Sequence, residues 1–250
     1  MPILIDSHVH IYPHYDISTL LDAFHNRIHE SGASIGVMML AEREGTDVFS
    51  SWANNEKLPA NYTLVKSDDT SLILGKAGQP NIVVVAGRQI ACAERIEILA
   101  LATRTRFHDG IPIQTAVTEA ITAGAIPVLA WGVGKWLFKR ADVVASLLKL
   151  FEPEKLLIGD PSLRPVFWPT PRLMAKAAAD GHLVIAGSDP LPPKNEELRV
   201  GQYAELAADA FLDLSSPLTP QIVSILTAHP LTRFGHRAGL VEFIRRMAGH

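Results

Sequence analysis

The chain has 250 residues and a single cysteine, Cys92. One thiol cannot form an internal disulfide, so the fold is expected to rest on its core, in a reducing compartment. An excess of one charge is also missing. Lys and Arg number 23 against 26 Asp and Glu, a formal net charge of -3, with a pI near 6.4. Without a basic balance, neither nucleic acid nor an anionic membrane is expected as the main partner. No basic segment followed by a long apolar run opens the sequence, so no signal peptide is expected. No apolar run reaches transmembrane length. Internal repeats, low-complexity tracts and domain linkers are absent as well. These absences together predict a soluble cytoplasmic protein of one domain over 1–250, with a small molecule as its partner. They leave the oligomeric state open.

What is present is apolar residue in quantity. At 48% hydrophobic residues, the chain can core a single α/β domain of this length. Its 17 Gly and 17 Pro are spread between apolar runs, punctuating many short elements. Expected strands fall at 3–8, 35–40, 82–86, 96–102, 126–131, 156–159 and 182–186. A helix capped by Asp16 or Ser18 runs to about Glu30, with Leu20, Leu21, Phe24 and Ile28 on its apolar face and His25 and His29 on its solvated one. Further helices are expected over Gln114–Ala123, Ala141–Phe151 and Pro171–Ala179, two of them followed by the breakers Gly124 and Gly181. Alternation of strand and helix implies right-handed crossovers and a parallel sheet. Residues 47–80 interrupt the alternation. Two extended segments flank Ser67-Asp68-Asp69-Thr70, the pattern of a β-hairpin. Residues 194–250 read as C-terminal helices, over Lys194–Leu212, from Thr219-Pro220, and over Leu240–Met247.

Chemistry gathers at strand ends. In Leu4-Ile5-Asp6-Ser7-His8-Val9-His10, three metal-ligating side chains follow at spacing two. Residues two apart on a strand face one way, so His8 and His10 can grip one metal together. Histidines satisfied by backbone are the plain alternative. A second buried run ends in Gly187-Ser188-Asp189-Pro190. Asp189 there can be a ligand, a general base, or the start of an Asx turn. Glu42 and Arg43 follow the second strand, Arg88 and Gln89 the third. Trp131 ends a later strand, with Lys135 just beyond it, and Asp160 and Arg164 follow the next. In a parallel barrel all such ends share one face. Arg43, Arg88, Arg164 and Lys135 would suit an anionic substrate.

Asp-x-His-x-His at the end of a first strand resembles the opening of the PHP and amidohydrolase metal-dependent hydrolases. Gly187-Ser188-Asp189 after the last barrel strand is similar to both families. The stretches at Val85–Ile90, Ile96–Leu101 and Gly124–Trp131 look more like PHP. Ile225–Gly235 resembles instead the closing helix of small amidohydrolases. The resemblance implies a distorted TIM-like (βα)7 barrel and a metal-dependent hydrolase, a phosphoesterase being one form of it. It implies His8, His10 and Asp189 as metal ligands, with Asp189, Glu42 or Glu97 moving the proton. Glu97 stands where the family would have a ligand histidine. Arg43, Gln89, Trp131 and Leu191 fill other ligand places, so at most one divalent metal is expected, zinc, manganese or iron. Arg43, Arg88, Gln89, Trp131 and Lys135 then become substrate-binding residues. The loss of ligands also fits an alternative, a PHP-like barrel that binds a ligand or partner without catalysis.

Overall fold

The computed structural model describes residues 1–249. The first strand, β1 (Ile3–Val9), is buried along its whole length, as an apolar run covered on both faces should be. Helix α1 (Ile17–Ser31) begins where the Asp16 carboxylate accepts from Thr19 N–H at 2.7 Å and ends at Gly32, φ +69°. It packs on β2 (Ile35–Leu40), where a Cβ on Gly36 would come within 2.4 Å of Ile28. Then come α2 (Val48–Ala53), the hairpin β3 (Thr63–Ser67) and β4 (Ser71–Gly75), β5 (Asn81–Val85), β6 (Gly87–Ala91) and β7 (Glu97–Leu101). The regular alternation follows as α3 (Ile113–Thr122), β8 (Ile126–Ala130), α4 (Lys139–Leu150), β9 (Leu157–Pro161), α5 (Arg172–Ala179) and β10 (Val184–Gly187). A 3₁₀ turn (Glu196–Arg199), β11 (Tyr203–Ala207), α6 (Leu218–Ala228), β12 (Thr232–Gly235) and α7 (Leu240–Ala248) complete the chain.

The strands form two mixed sheets. One has the order β12-β11-β1-β2-β5-β4-β3, the other β10-β9-β8-β7-β6. β1, β2 and β5 are parallel, and so are β8, β9 and β10. β7 runs antiparallel to both of its neighbours. The sheets enclose a common core. Ile3 and Ile5 of β1, Val37 and Met39 of β2 and Val83 and Val85 of β5 meet Leu99, Val128, Leu157 and Ile185 from the other sheet, and α6 adds Ile222, Ile225 and Leu226. Helices α1 and α2 cover the outer face of the first sheet, α3, α4 and α5 that of the second.

The expected seven-stranded barrel needs correction. Among the described residues the hydrogen-bonded ladder does not close, and twelve strands stand where seven barrel strands and a hairpin were expected. At one seam an isolated bridge between Glu42, just past β2, and Arg88 of β6 joins the sheets. At the other, β1 meets β10 through Ser7 Oγ donating to the Ala186 carbonyl and Asp189 N–H donating to the His8 carbonyl.

Residues 194–212 are not helical beyond the 3₁₀ turn. Tyr203–Ala207 pairs antiparallel with β1, Ile3 opposite Ala207, and this long-range pairing overrides the helical preference of Glu, Leu and Ala. The stretch likened to a closing helix divides into α6 and β12. The hairpin expected within 47–80 is present, preceded by α2, which the reading missed. His25 is buried rather than solvated, its ring hydrogen-bonding with Tyr62 Oη at 2.8 Å and the Pro80 carbonyl at 3.0 Å. Among the described residues no helix is long and apolar enough to cross a membrane.

Candidate metal centre

The β1 strand breaks its ladder with β2 between Asp6 and Val9. That shift separates the fates of the three ligand-type residues. The Asp6 carboxylate accepts from Ser188 N–H at 2.9 Å, Gly201 N–H at 2.8 Å and His8 N–H at 3.2 Å, and from the Ser188 hydroxyl. It is fully buried, and burial pushes its pKa up to about 6 against those four bonds. Asp6 therefore ties β1 to the turn after β10 and is engaged away from the imidazoles.

His8 and His10 turn toward each other, with Nε2 atoms 3.0 Å apart. Asp189 Oδ1 lies 3.5 Å from each. Both imidazoles are buried and Asp189 is half-buried. The approach depends on Gly187, because a Cβ there would fall 2.3 Å from His8 Cβ. Asp189 itself sits at φ +47°, the left-handed region that non-glycine residues rarely enter.

The donor set fits a single divalent ion. Bonds of about 2.0–2.1 Å at tetrahedral angles separate neighbouring donor atoms by about 3.3 Å. The triangle seen here has edges of 3.0, 3.5 and 3.5 Å. Two imidazoles and a carboxylate are the donor types that zinc, manganese and iron accept. Burial, then the neighbouring His8 and Arg43, push His10 down to about 3, so its ring is neutral and a lone pair is available. Burial alone would raise Asp189, but His8, His10, Arg246 and Lys135 outweigh it and hold the carboxyl below its usual value.

The rim is cationic and aromatic. Lys135 pairs with Glu97 beside the triad. Burial and the Asp189 charge push the Tyr12 hydroxyl up to about 12, against the Arg43 charge. The Tyr12 ring lies 5.8 Å from that of His10.

No known family and no curated protein matches the sequence. Solved structures do match. PsfC from Pseudomonas syringae PB-5123 superposes with a TM-score of 0.62 at 13% identity, over 99% of this chain and 95% of that one. The lesion-specific endonuclease Q from Pyrococcus furiosus gives 0.52 at 10% identity, over 93% of this chain and 58% of that one. Endonuclease Q in complex with a 27-mer duplex substrate gives 0.52 at 11% identity, over 95% and 60%. The likeness is one of fold. It overturns one expectation, the exclusion of nucleic acid. A chain of this fold holds a duplex with an abasic lesion at its active site. A net charge is a sum over the whole surface and does not report the local field at one face.

The remaining predicted site residues do not share one pocket. Glu42 is committed to structure. Its Oε1 accepts from Val48 and Phe49 N–H at the start of α2, and its Oε2 pairs with Arg88 at 2.7 Å. Burial raises the Glu42 pKa, but its carboxylate is engaged with α2 and Arg88 rather than with the triad. Arg88 also donates to the Thr46 carbonyl at 2.7 Å. With Arg43 and Gln89 they line a neighbouring cavity of about 250 Å³ that includes neither histidine. Asp160 is paired with Arg164, at 2.7 Å from Nη2, and accepts from Tyr203 Oη at 3.1 Å, so its carboxylate is already engaged. Trp131 lines a third cavity of about 540 Å³ with Trp136 and Trp168.

Two contributors were missed. Ser188 was legible only as part of Gly-Ser-Asp, with nothing to mark its bond to Asp6. Arg246 carries no local signal, being 57 residues beyond the Asp189 carbonyl it bonds.

Proposed function

We propose that this chain is a metal-dependent hydrolase of an anionic ester, a phosphoester above all, with one divalent metal held by His8, His10 and Asp189. The observation that carries the reading is the donor triangle itself. Side chains from β1 and from the turn after β10 bring their donor atoms to 3.0–3.5 Å of one another, with both imidazoles buried. A bound metal supplies a lowered pKa for water and a polarised ester oxygen.

The other roles fall to the chain. Lys135, whose charge acts on Asp189, and Arg43, whose charge acts on His10, meet the anionic group. Glu97, a carboxylate paired among the described residues with Lys135, takes the proton. The apolar part of the substrate has room beside Trp131, in a cavity of the size that small-molecule sites have. Gly132 and Gly134 join that cavity to Lys135, since a Cβ on Gly132 would strike the lysine side chain at 2.6 Å.

Arg43 also supports the second reading, binding without catalysis. A fixed cation beside His10 opposes a metal, and an imidazole pair with a guanidinium can hold an anion directly.

One experiment separates the two. The protein is purified in zinc- or manganese-supplemented medium, its metal content is measured, and it is assayed on phosphomonoesters, phosphodiesters including duplex DNA with an abasic site, carboxylic esters and amides. The expected result is one equivalent of metal and turnover of a phosphoester, both lost in the double variant His8→Ala/His10→Ala. A protein that folds, takes up no metal and still binds phosphate in a His8-dependent way would overturn the hydrolase.

A further inference from the structure

Helix α7 is arranged the wrong way round for a surface helix. Leu240, Val241 and Ile244 are exposed, while Arg246 is buried, its side chain 1% accessible. A guanidinium taken out of water needs compensating partners. Arg246 finds them around one turn. Its Nη2 donates to the Asp189 carbonyl at 2.9 Å, its Nη1 donates to Ser162 Oγ at 2.9 Å, and Nη2 lies 2.8 Å from Glu196 Oε2.

Each of those partners holds another atom of the same turn. Ser162 Oγ donates to the Ser188 carbonyl. Glu196 Oε2 accepts from Leu191 N–H at 3.0 Å. The Asp189 N–H is given to the His8 carbonyl at 2.9 Å. The backbone of Ser188-Asp189-Pro190-Leu191 is thus held by Ser162, Glu196, the His8 carbonyl and Arg246 itself, besides Asp6 on the Ser188 N–H and Tyr15 on the Leu191 carbonyl, and Arg246 also touches two of those groups, Ser162 and Glu196. The restraint has a purpose in the conformation it imposes. Asp189 is in the left-handed region and precedes a proline, a position where such a conformation is doubly disfavoured. An unrestrained turn would relax and carry the carboxylate away from the imidazoles.

We infer that Arg246 is a positioning residue, which locks the Asp189 turn from the C-terminal helix and so completes the metal site. The inference rests on the metal reading given above. Groups that orient metal ligands typically contribute on the order of 10- to 100-fold in metal affinity, and Arg246 should do so from the far end of the chain.

The test is titration of the metal-free full-length protein with Co²⁺, followed by calorimetry and by the visible absorption of the bound ion, with melting of each metal-free variant alongside. Arg246→Lys keeps the charge opposite Glu196 but lacks the fork needed to reach Ser162 and Asp189 together. The double variant Arg246→Met/Glu196→Gln removes the charge pair together and guards against a variant that fails to fold. Phe243→Ala removes the contact of α7 with Phe167, 6.0 Å between ring centroids, and leaves the turn untouched. Both Arg246 variants should weaken Co²⁺ binding by roughly 10- to 100-fold and alter the cobalt spectrum, while Phe243→Ala lowers only the melting temperature. Wild-type affinity in the Arg246 variants overturns the inference alone. So does an equal loss in Phe243→Ala, which would assign the effect to helix docking. A wild-type protein that takes up no cobalt overturns the metal reading and this inference together.

Discussion

The two sheets meet at two seams, and the seams are built alike up to a point. At each, a glycine lets one backbone press on the other. A Cβ on Gly187 would fall 2.3 Å from His8 Cβ, and one on Gly87 would fall 2.2 Å from the Leu40 carbonyl. At each, an acidic residue follows a buried strand. The seams part company in what that carboxylate finds. Glu42 is taken up by two backbone N–H groups of α2 and by the Arg88 guanidinium. Among the described residues Asp189 Oδ1 accepts from no backbone donor and faces two imidazoles 3.5 Å away. A carboxylate satisfied by its own fold is scaffolding. One held in place by its backbone, with its oxygens left to other ligands, is available for chemistry.

The sharpest way to break this contrast is to remove each carboxylate in turn. Asp189→Asn should abolish stable metal binding and change the melting of the metal-free protein little. Glu42→Ala should do the reverse. It leaves the buried Arg88 with only the more distant Asp47 as counter-charge, a loss of up to roughly 3–5 kcal/mol, with metal affinity per folded molecule unchanged. Urea denaturation and metal titration on the same samples decide it. Equal effects of the two changes on metal binding would merge the seams into one site.

Much of the first contrast was legible in the residues. His8 and His10 are local to each other, and strand alternation alone brings them to one face. Asp189 follows from a buried run ending in Gly-Ser-Asp. Glu42 was misread because its fate depends on α2 folding over it, and the Asp47 cap that starts α2 lies within a stretch without helical periodicity. Arg88 was offered to a substrate for the same reason, since nothing local shows that Glu42 claims it. The segment 203–207 was read as helix because its strand partner, β1, lies at the other end of the chain. Asp6 shows the limit from the other side. Alternation puts it with the imidazoles, and a slip in register sends it to Ser188.

The glycines offer a second, smaller comparison. Gly187→Ala and Gly87→Ala each force a Cβ into space already filled, and each should destabilise at the upper end of roughly 1–3 kcal/mol. Only the first pushes on a ligand. Gly187→Ala should therefore weaken metal binding beyond its effect on stability, whereas Gly87→Ala, against the Leu40 and Ala100 carbonyls, should leave the affinity alone. Loss of metal from both would mean that the seams move together.

The smallest effect concerns acid, and it belongs to the Glu42 seam. Asp47 caps α2, accepting from Ser50 N–H at 3.2 Å, and lies 2.8 Å from Arg106 Nη2 and 3.5 Å from Arg88. Burial alone would raise its pKa, but the bonds to Ser50 and Arg106 and the Arg88 charge lower it to about 2 from 3.8. The folded state thus binds this proton more weakly than the unfolded chain does. Stability from Asp47 is complete above about pH 4, where both states are ionised, and drains away as the pH falls through about 2. Its size is about 1–2 kcal/mol, after allowance for the side chain being a quarter exposed to screening solvent. Other carboxylates titrate in the same window, so the informative quantity is the difference between wild type and Asp47→Asn, measured by urea midpoints from pH 5 to pH 2. Wild type should lead at pH 5, and the gap should close toward pH 2. A gap that stays constant across the range would show that ionisation of Asp47 contributes nothing to stability.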